Sequence, residues 1–215
     1  MIIANWKMNM TAASTRLFLE KFNPQKECII CAPYTILPLL HNQNNPNIKI
    51  GAQNLFYEPN GAYTGEISPA MIKEYAEYVI IGHNERRKIF NETDEIIHKK
   101  LRAAQTYKLI PILCINYINQ LNSLNTLTFD ILYIAYEPIE SIGTGNATDP
   151  NIINTILKKI RTITEKNAKR LFLLYGGSIT STNAKSYLQQ PEINGLLVGN
   201  TSLNPEEFEK IILEQ

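Results

Sequence analysis

Short apolar runs alternate with helical patterns along the whole chain. The runs are Ile2–Asn5, Cys28–Ala32, Ile48–Ala52, Tyr78–Gly82, Leu109–Cys114, Ile131–Ala135, Leu171–Tyr175 and Gly195–Gly199. Each is short and nearly continuous in hydrophobicity, which suits a strand covered on both faces, as in a parallel sheet. Between the runs, Thr11 is placed to cap a helix that sets Ala13 against Leu17 and Phe18 against Phe22 at i,i+4 spacing. Asp149-Pro150 reads as N-cap and first helical residue, followed by a stripe of Ile152, Ile153, Ile156, Leu157, Ile160 and Ile163. Asn204-Pro205 opens a last helix that buries Phe208, Ile211 and Ile212. Eight strand–helix alternations predict a parallel α/β fold, and a count of eight fits a closed barrel.

The chain is lean for such a barrel: it has 215 residues, where about 250 is typical. The segment Asn116–Thr128 shows where it is trimmed. It barely reaches the dozen or so residues that a parallel crossover needs, so any helix there is a turn or two. No composition shift or flexible linker interrupts residues 1–215, which read as one domain.

Composition narrows the partners. Lys+Arg 21 against Asp+Glu 20 argues against nucleic acid or an anionic membrane as the main partner and leaves room only for a local basic patch. No apolar run approaches membrane-spanning length. The chain opens on a strand-like Ile2-Ile3-Ala4 without the pattern of a secretory signal, so the expected location is cytoplasmic. Cys28 and Cys31 have a C-x-x-C spacing, but they lie in one strand, where i and i+3 point to opposite faces. Two buried structural thiols in a reducing compartment is the expected reading.

In barrels of this kind chemistry sits beyond the C-terminal ends of the strands. The first run delivers Asn5-Trp6-Lys7, the fourth His83-Asn84-Glu85-Arg86-Arg87, and the sixth Glu137-Pro138. The seventh and eighth end in glycine-bearing turns, Gly176-Gly177-Ser178 and Gly199-Asn200, a usual place for a phosphate. Glu137 follows a buried run, Pro138 stiffens what comes next, and Gly143 and Gly145 loosen the far end. That layout suits a catalytic base beneath a moving loop, and equally a solvated glutamate before a turn.

The motifs Asn5-Trp6-Lys7-Met8-Asn9, Gly61-Ala62-Tyr63-Thr64-Gly65-Glu66-Ile67-Ser68, Gly82-His83-Asn84-Glu85-Arg86-Arg87, Ala135-Tyr136-Glu137-Pro138-Ile139, Ile142-Gly143-Thr144-Gly145 and Tyr175-Gly176-Gly177-Ser178 occur in one order at strand ends. Together they resemble the triosephosphate isomerase family over nearly the whole chain. The resemblance implies a single (β/α)8 TIM barrel, shortened here between strands 5 and 6. It also implies interconversion of dihydroxyacetone phosphate and D-glyceraldehyde 3-phosphate without metal or organic cofactor. By the same resemblance Glu137 is the base that shuttles the proton, His83 a neutral donor at a helix start, Lys7 a fixed positive charge, Asn5 a donor to the substrate oxygen and Glu85 the partner of Lys7. Backbone N–H groups of Gly143, Ser178, Gly199 and Asn200 would hold the phosphate. Ile142 and Leu197 would press on Glu137 when the loop shuts. The long loop Asn54–Ser68 would dock into a second copy, giving a homodimer with Thr64 reaching toward the other site.

Four positions depart from the family's usual pattern. Asn84 replaces a serine and is expected to donate to Glu137 in the open site. Asn200 replaces a glycine in the phosphate turn, Asn116-Tyr117 replaces a Gly-Glu pair, and Glu140 replaces a tryptophan on the loop. The last two suggest a Tyr117–Glu140 hydrogen bond that latches the closed loop. A non-catalytic phosphate-binding relative and a different phosphate-binding barrel enzyme are the competing readings. Retention of Lys7, His83 and Glu137 together argues against both.

Overall fold

The computed structural model describes residues 1–138 and 148–215. Eight parallel strands close into a barrel in chain order: β1 Ile2–Asn5, β2 Cys28–Ala32, β3 Ile48–Ala52, β4 Tyr78–Ile81, β5 Ile110–Ile115, β6 Phe129–Tyr136, β7 Ala168–Tyr175 and β8 Gly195–Val198. Ile2 pairs with Cys28 on one side and with Leu196 on the other, which shuts the ring. The described helices are α1 Ala12–Lys21, α2 Leu37–His41, α3 Pro69–Lys73, α4 Asn84–Ile89, α5 Asp94–Thr106, α6 Pro150–Thr164, α7 Ala184–Leu188 and α8 Pro205–Leu213.

Continuous hydrophobicity has a direct cause. Successive strand residues face alternately into the barrel and out to the helices, and both sides are dry. Ile3, Ile29, Cys31, Ile80, Ile112, Cys114, Tyr133, Leu174 and Leu197 fill the interior. Ile2, Cys28, Ile30, Val79, Leu113, Ile134 and Val198 meet the helices. Cys28 and Cys31 thus lie on opposite faces, as expected, and both are free thiols. Gly51 is required by this packing, since a Cβ there would lie 2.5 Å from the Cys31 sulfur.

Two strands begin well before their apolar runs. β6 and β7 begin at Phe129 and Ala168 rather than at Ile131 and Leu171; Phe129 is buried, and exposed Asp130 and Lys169 form an ion pair of 2.8 Å. Helix faces are narrower than the sequence pattern. In α1 it is Thr15 and Phe18 that are buried, whereas Ala13 and Leu17 are exposed. In α6 the buried set is Ile153, Leu157 and Ile160, with Ile152 and Ile163 exposed. The Thr11, Asp149 and Asn204 caps are formed by side-chain acceptors as expected.

The trimmed crossover contains no α-helix. Ile118–Leu124 is a 3₁₀ segment whose Leu121 and Leu124 are buried. Asn167 donates to the Leu127 carbonyl at 2.8 Å, and the His98 ring meets the Ser123 carbonyl at 3.0 Å. Side chains from neighbouring elements therefore satisfy carbonyls that a helix would have satisfied itself.

Candidate active site

The alternation that fills the barrel continues past the strand ends. After inward Ile3 comes Asn5; after Cys114, Asn116; after Ala135, Glu137; after Leu174, Gly176; after Leu197, Gly199. Residues two apart share a face, so these positions converge on the barrel mouth. Asn5, Lys7, His83, Glu137, Gly176, Ser178, Leu197, Gly199 and Asn200 all line one cavity of about 270 Å³ there.

Lys7 is carried by a short, rigid lead. Trp6 is fully buried, stacks edge-on against Phe18 at 5.1 Å and donates from its indole to the Ser202 carbonyl at 3.3 Å. Lys7 then takes φ of +52°, a left-handed conformation unfavourable for a side-chain-bearing residue. Two bonds hold it there: its N–H donates to Asn5 Oδ1 at 3.2 Å, and its carbonyl accepts from Gln53 at 3.0 Å. Its ammonium reaches Glu85 at 2.6 Å.

His83 is the N-cap of α4, and its Nδ1 accepts the Glu85 N–H at 3.3 Å. A nitrogen that accepts carries no proton, so the neutral ring is protonated on Nε2. Nε2 faces Glu137 Oε1 at 3.3 Å. The sequence reading placed the ring at a helix start that disfavours imidazolium. In the site as it stands, burial does pull the imidazole pKa down, but the facing Glu137 carboxylate pulls it up, and the result is a rise above the ordinary value.

Glu137 itself is buried. Its N–H donates to the Ile115 carbonyl at 2.8 Å, its carbonyl accepts from Asn116 Nδ2 at 2.6 Å, and its Oε2 is buried with no hydrogen-bond partner among the described residues. The solvated-glutamate reading therefore does not hold. The expected bond from Asn84 is not formed either: Asn84 is buried, and the Glu137 carboxylate faces His83 instead. Gly176 makes room, because a Cβ there would sit 2.8 Å from Glu137 Cγ.

Ile142, Gly143 and Glu140 lie outside the described residues, and so does one half of the supposed Tyr117–Glu140 latch. Tyr117 is exposed on its own side. Arg87 ends the Gly82–Arg87 motif. Its guanidinium binds the Gly82 carbonyl at 2.7 Å, Asp94 at 2.7 Å and the Cys114 carbonyl at 3.3 Å, bolting the end of β4 to the end of β5. A half-buried arginine spanning two strand ends has no signature in hydropathy; only its place four residues after His83 hinted at it.

Loop 54–68 is anchored at its root and exposed at its tip. Lys100 Nζ binds Asn54 Oδ1 at 2.6 Å and, at 2.5 Å, the buried Glu92, which also takes Arg86. The Phe56 N–H closes the base onto the Ile67 carbonyl at 2.9 Å, and residues 59–66 are all exposed.

The triosephosphate isomerase family model matches residues 1–215. The chain is 40% identical to the triosephosphate isomerase of Dictyoglomus turgidum, covering 98% of this chain and 97% of that protein. It is 39% identical to that of Aquifex aeolicus over 99% and 98% of the two chains, and 40% identical to that of Gloeothece citriformis over 98% and 97%. These alignments run over 236 to 243 positions against 215 residues here, so the relatives carry residues that this barrel lacks. Fold, order of motifs and full-length similarity agree, and the chain belongs to the triosephosphate isomerase family.

Proposed function

We propose that this chain interconverts dihydroxyacetone phosphate and D-glyceraldehyde 3-phosphate by proton transfer through an enediolate. The observation that carries the reading is the Glu137–His83 pair at 3.3 Å, set in a cavity shared with Lys7 and the turns after β7 and β8. The family is itself a standard example of a glutamate base beside a neutral histidine, so these roles are carried over to matching residues rather than newly deduced.

Glu137 removes a proton from the carbon next to the substrate carbonyl. The electron pair moves onto the oxygen, giving an enediolate, and Glu137 returns the proton to the adjacent carbon. His83 Nε2–H gives its proton to the oxygen of the former carbonyl and takes one back from the neighbouring hydroxyl, so the hydroxyl proton changes oxygen and the ring ends neutral. The Glu85 N–H on Nδ1 supports this neutral tautomer. With substrate between ring and carboxylate, the influence that raises the His83 pKa weakens, while burial and the start of α4 remain. Lys7, held by Glu85, contributes fixed charge as the oxyanion develops, and Asn5 donates to the same oxygen. Backbone N–H groups of Gly143, Ser178, Gly199 and Asn200 cradle the phosphate. Ile142 and Leu197 exclude water from Glu137. No metal or organic cofactor enters these steps.

The working unit in this reading is a homodimer in the cytoplasm. The exposed tip of loop 54–68 carries Tyr63, its ring tilted against Phe56 with centroids 4.7 Å apart. Beside the catalytic cavity lies a second, of about 370 Å³, lined by Lys7, Met8, Tyr34, Gln53, Glu85 and Phe90 among others. Met8 is 97% and Phe90 61% exposed, apolar surface that a second copy's loop would cover. Free buried thiols fit a reducing compartment.

The test is a coupled assay of the purified chain with glyceraldehyde 3-phosphate in one direction and dihydroxyacetone phosphate in the other. Turnover in both directions is expected. A folded dimer with no turnover contradicts the proposal.

A further inference from the structure

We propose that Asn116 is a positioning residue for the base, its side-chain amide fixing the Glu137 carbonyl and, through it, the direction of the carboxylate. This rests on the reading of Glu137 as the base.

β5 and β6 run in parallel register up to Ile115 opposite Tyr136. One step further, the Glu137 N–H still donates to the Ile115 carbonyl at 2.8 Å. A ladder continuing regularly would next offer the Tyr117 N–H to the Glu137 carbonyl. That donor is diverted. Gln120, in the 3₁₀ segment of the shortened crossover, takes the Asn116 N–H at 2.7 Å and the Tyr117 N–H at 3.3 Å on one side-chain oxygen. The orphaned carbonyl is met instead by Asn116 Nδ2 at 2.6 Å.

The substitute bond is well built. Asn116 is buried, so water competes little for its amide. The atom facing the carbonyl has to be the nitrogen, because the amide oxygen would meet another acceptor. Pro138 has no N–H of its own to add a tie on the far side. At the carboxylate, Oε1 faces His83 at 3.3 Å, the Cys114 thiol lies within hydrogen-bonding reach, and Oε2 has no partner among the described residues. The backbone of Glu137 is held by the Ile115 carbonyl on one side and the Asn116 amide on the other, which sets where its side chain starts. The shortened crossover takes part through Gln120, which holds Asn116 in place.

The experiment measures steady-state kinetics and their pH dependence for the parent chain, Asn116→Ala and Asn116→Asp. Deleting the amide should lower kcat by about 10- to 100-fold, the cost of a misplaced reacting group. KM should change little, since the phosphate turns after β7 and β8 are untouched. The aspartate variant gives the sharper sign. As a carboxylate it repels the Glu137 carbonyl; once protonated it can donate to it. Its kcat relative to the alanine variant should therefore rise as pH falls. Should the alanine variant not fold, the kcat of the near-isosteric aspartate variant, normalised to the parent at each pH, carries the same signature. An active parent whose variants keep its kcat, or whose aspartate variant shows no such rise, overturns the proposal alone. A folded parent without isomerase activity overturns the reading beneath it as well.

Discussion

Glu137→Ala is expected to lower kcat by about 10²–10⁴-fold, the usual contribution of a general base. Binding of a non-reacting phosphate analogue should weaken far less, because Lys7 and the turns after β7 and β8 face the same cavity independently of the carboxylate. Glu137→Gln adds a second readout. The Glu137 carboxylate is the largest influence raising the His83 pKa, so its neutralisation should let the imidazole pKa fall, as followed by NMR titration of the ring. The sign for stability follows from the raised value. A His pKa raised on folding stabilises fully below the unfolded value of about 6.5, and that contribution fades as pH rises through the folded value. The glutamine variant should lose this part of the pH dependence of unfolding. Near-parental kcat in Glu137→Ala, or an unmoved His83 titration in Glu137→Gln, contradicts the pairing.

Removing the exposed tip of loop 54–68, residues 59–66, is expected to give a monomer with kcat reduced by up to about 10²-fold. The cut spares Leu55, which is fully buried, and the Phe56–Ile67 bond that closes the loop's base. In the parent, the tip of the partner's loop would fill the cavity beside Lys7 and Glu85 and steady their ion pair. An exposed Lys–Glu pair is worth little by itself, so support from a second copy matters more than the bond. Sedimentation together with steady-state kinetics checks this. A shortened chain that remains a fully active dimer, or a parent that is a fully active monomer at micromolar concentration, contradicts it.

Much of the architecture was legible because burial on both faces writes itself as continuous hydrophobicity. All eight strands were visible for that reason, and the crossover could be recognised as short by counting residues. What was not legible depends on partners remote in sequence. The early starts of β6 and β7 come from the ladder that pairs Phe129 with Ala168 and from the burial of Phe129, which lies apart from the apolar run that follows. The stripe on α6 was read too wide because Ile152 and Ile163 are as apolar as their neighbours yet face outward. In the site, Lys7, His83 and Glu137 were visible as polar residues placed directly after buried runs. What the sequence did not show around His83 is the carboxylate facing Nε2, since a helix start is a local feature whereas Glu137 comes from another strand. For the same reason the Asn116 bond could not be foreseen: it depends on where a carbonyl points once the ladder between β5 and β6 has ended.

The most direct test of proton shuttling by Glu137 is isomerisation of dihydroxyacetone phosphate by the parent chain in ²H₂O, with product followed by NMR. A carboxyl group that holds the substrate's proton exchanges it with solvent before returning it. The account predicts deuterium at C2 of the glyceraldehyde 3-phosphate formed, and loss of both turnover and labelling in Glu137→Ala. Product that forms at full rate with hydrogen wholly retained at C2, as direct hydride transfer would give, contradicts it.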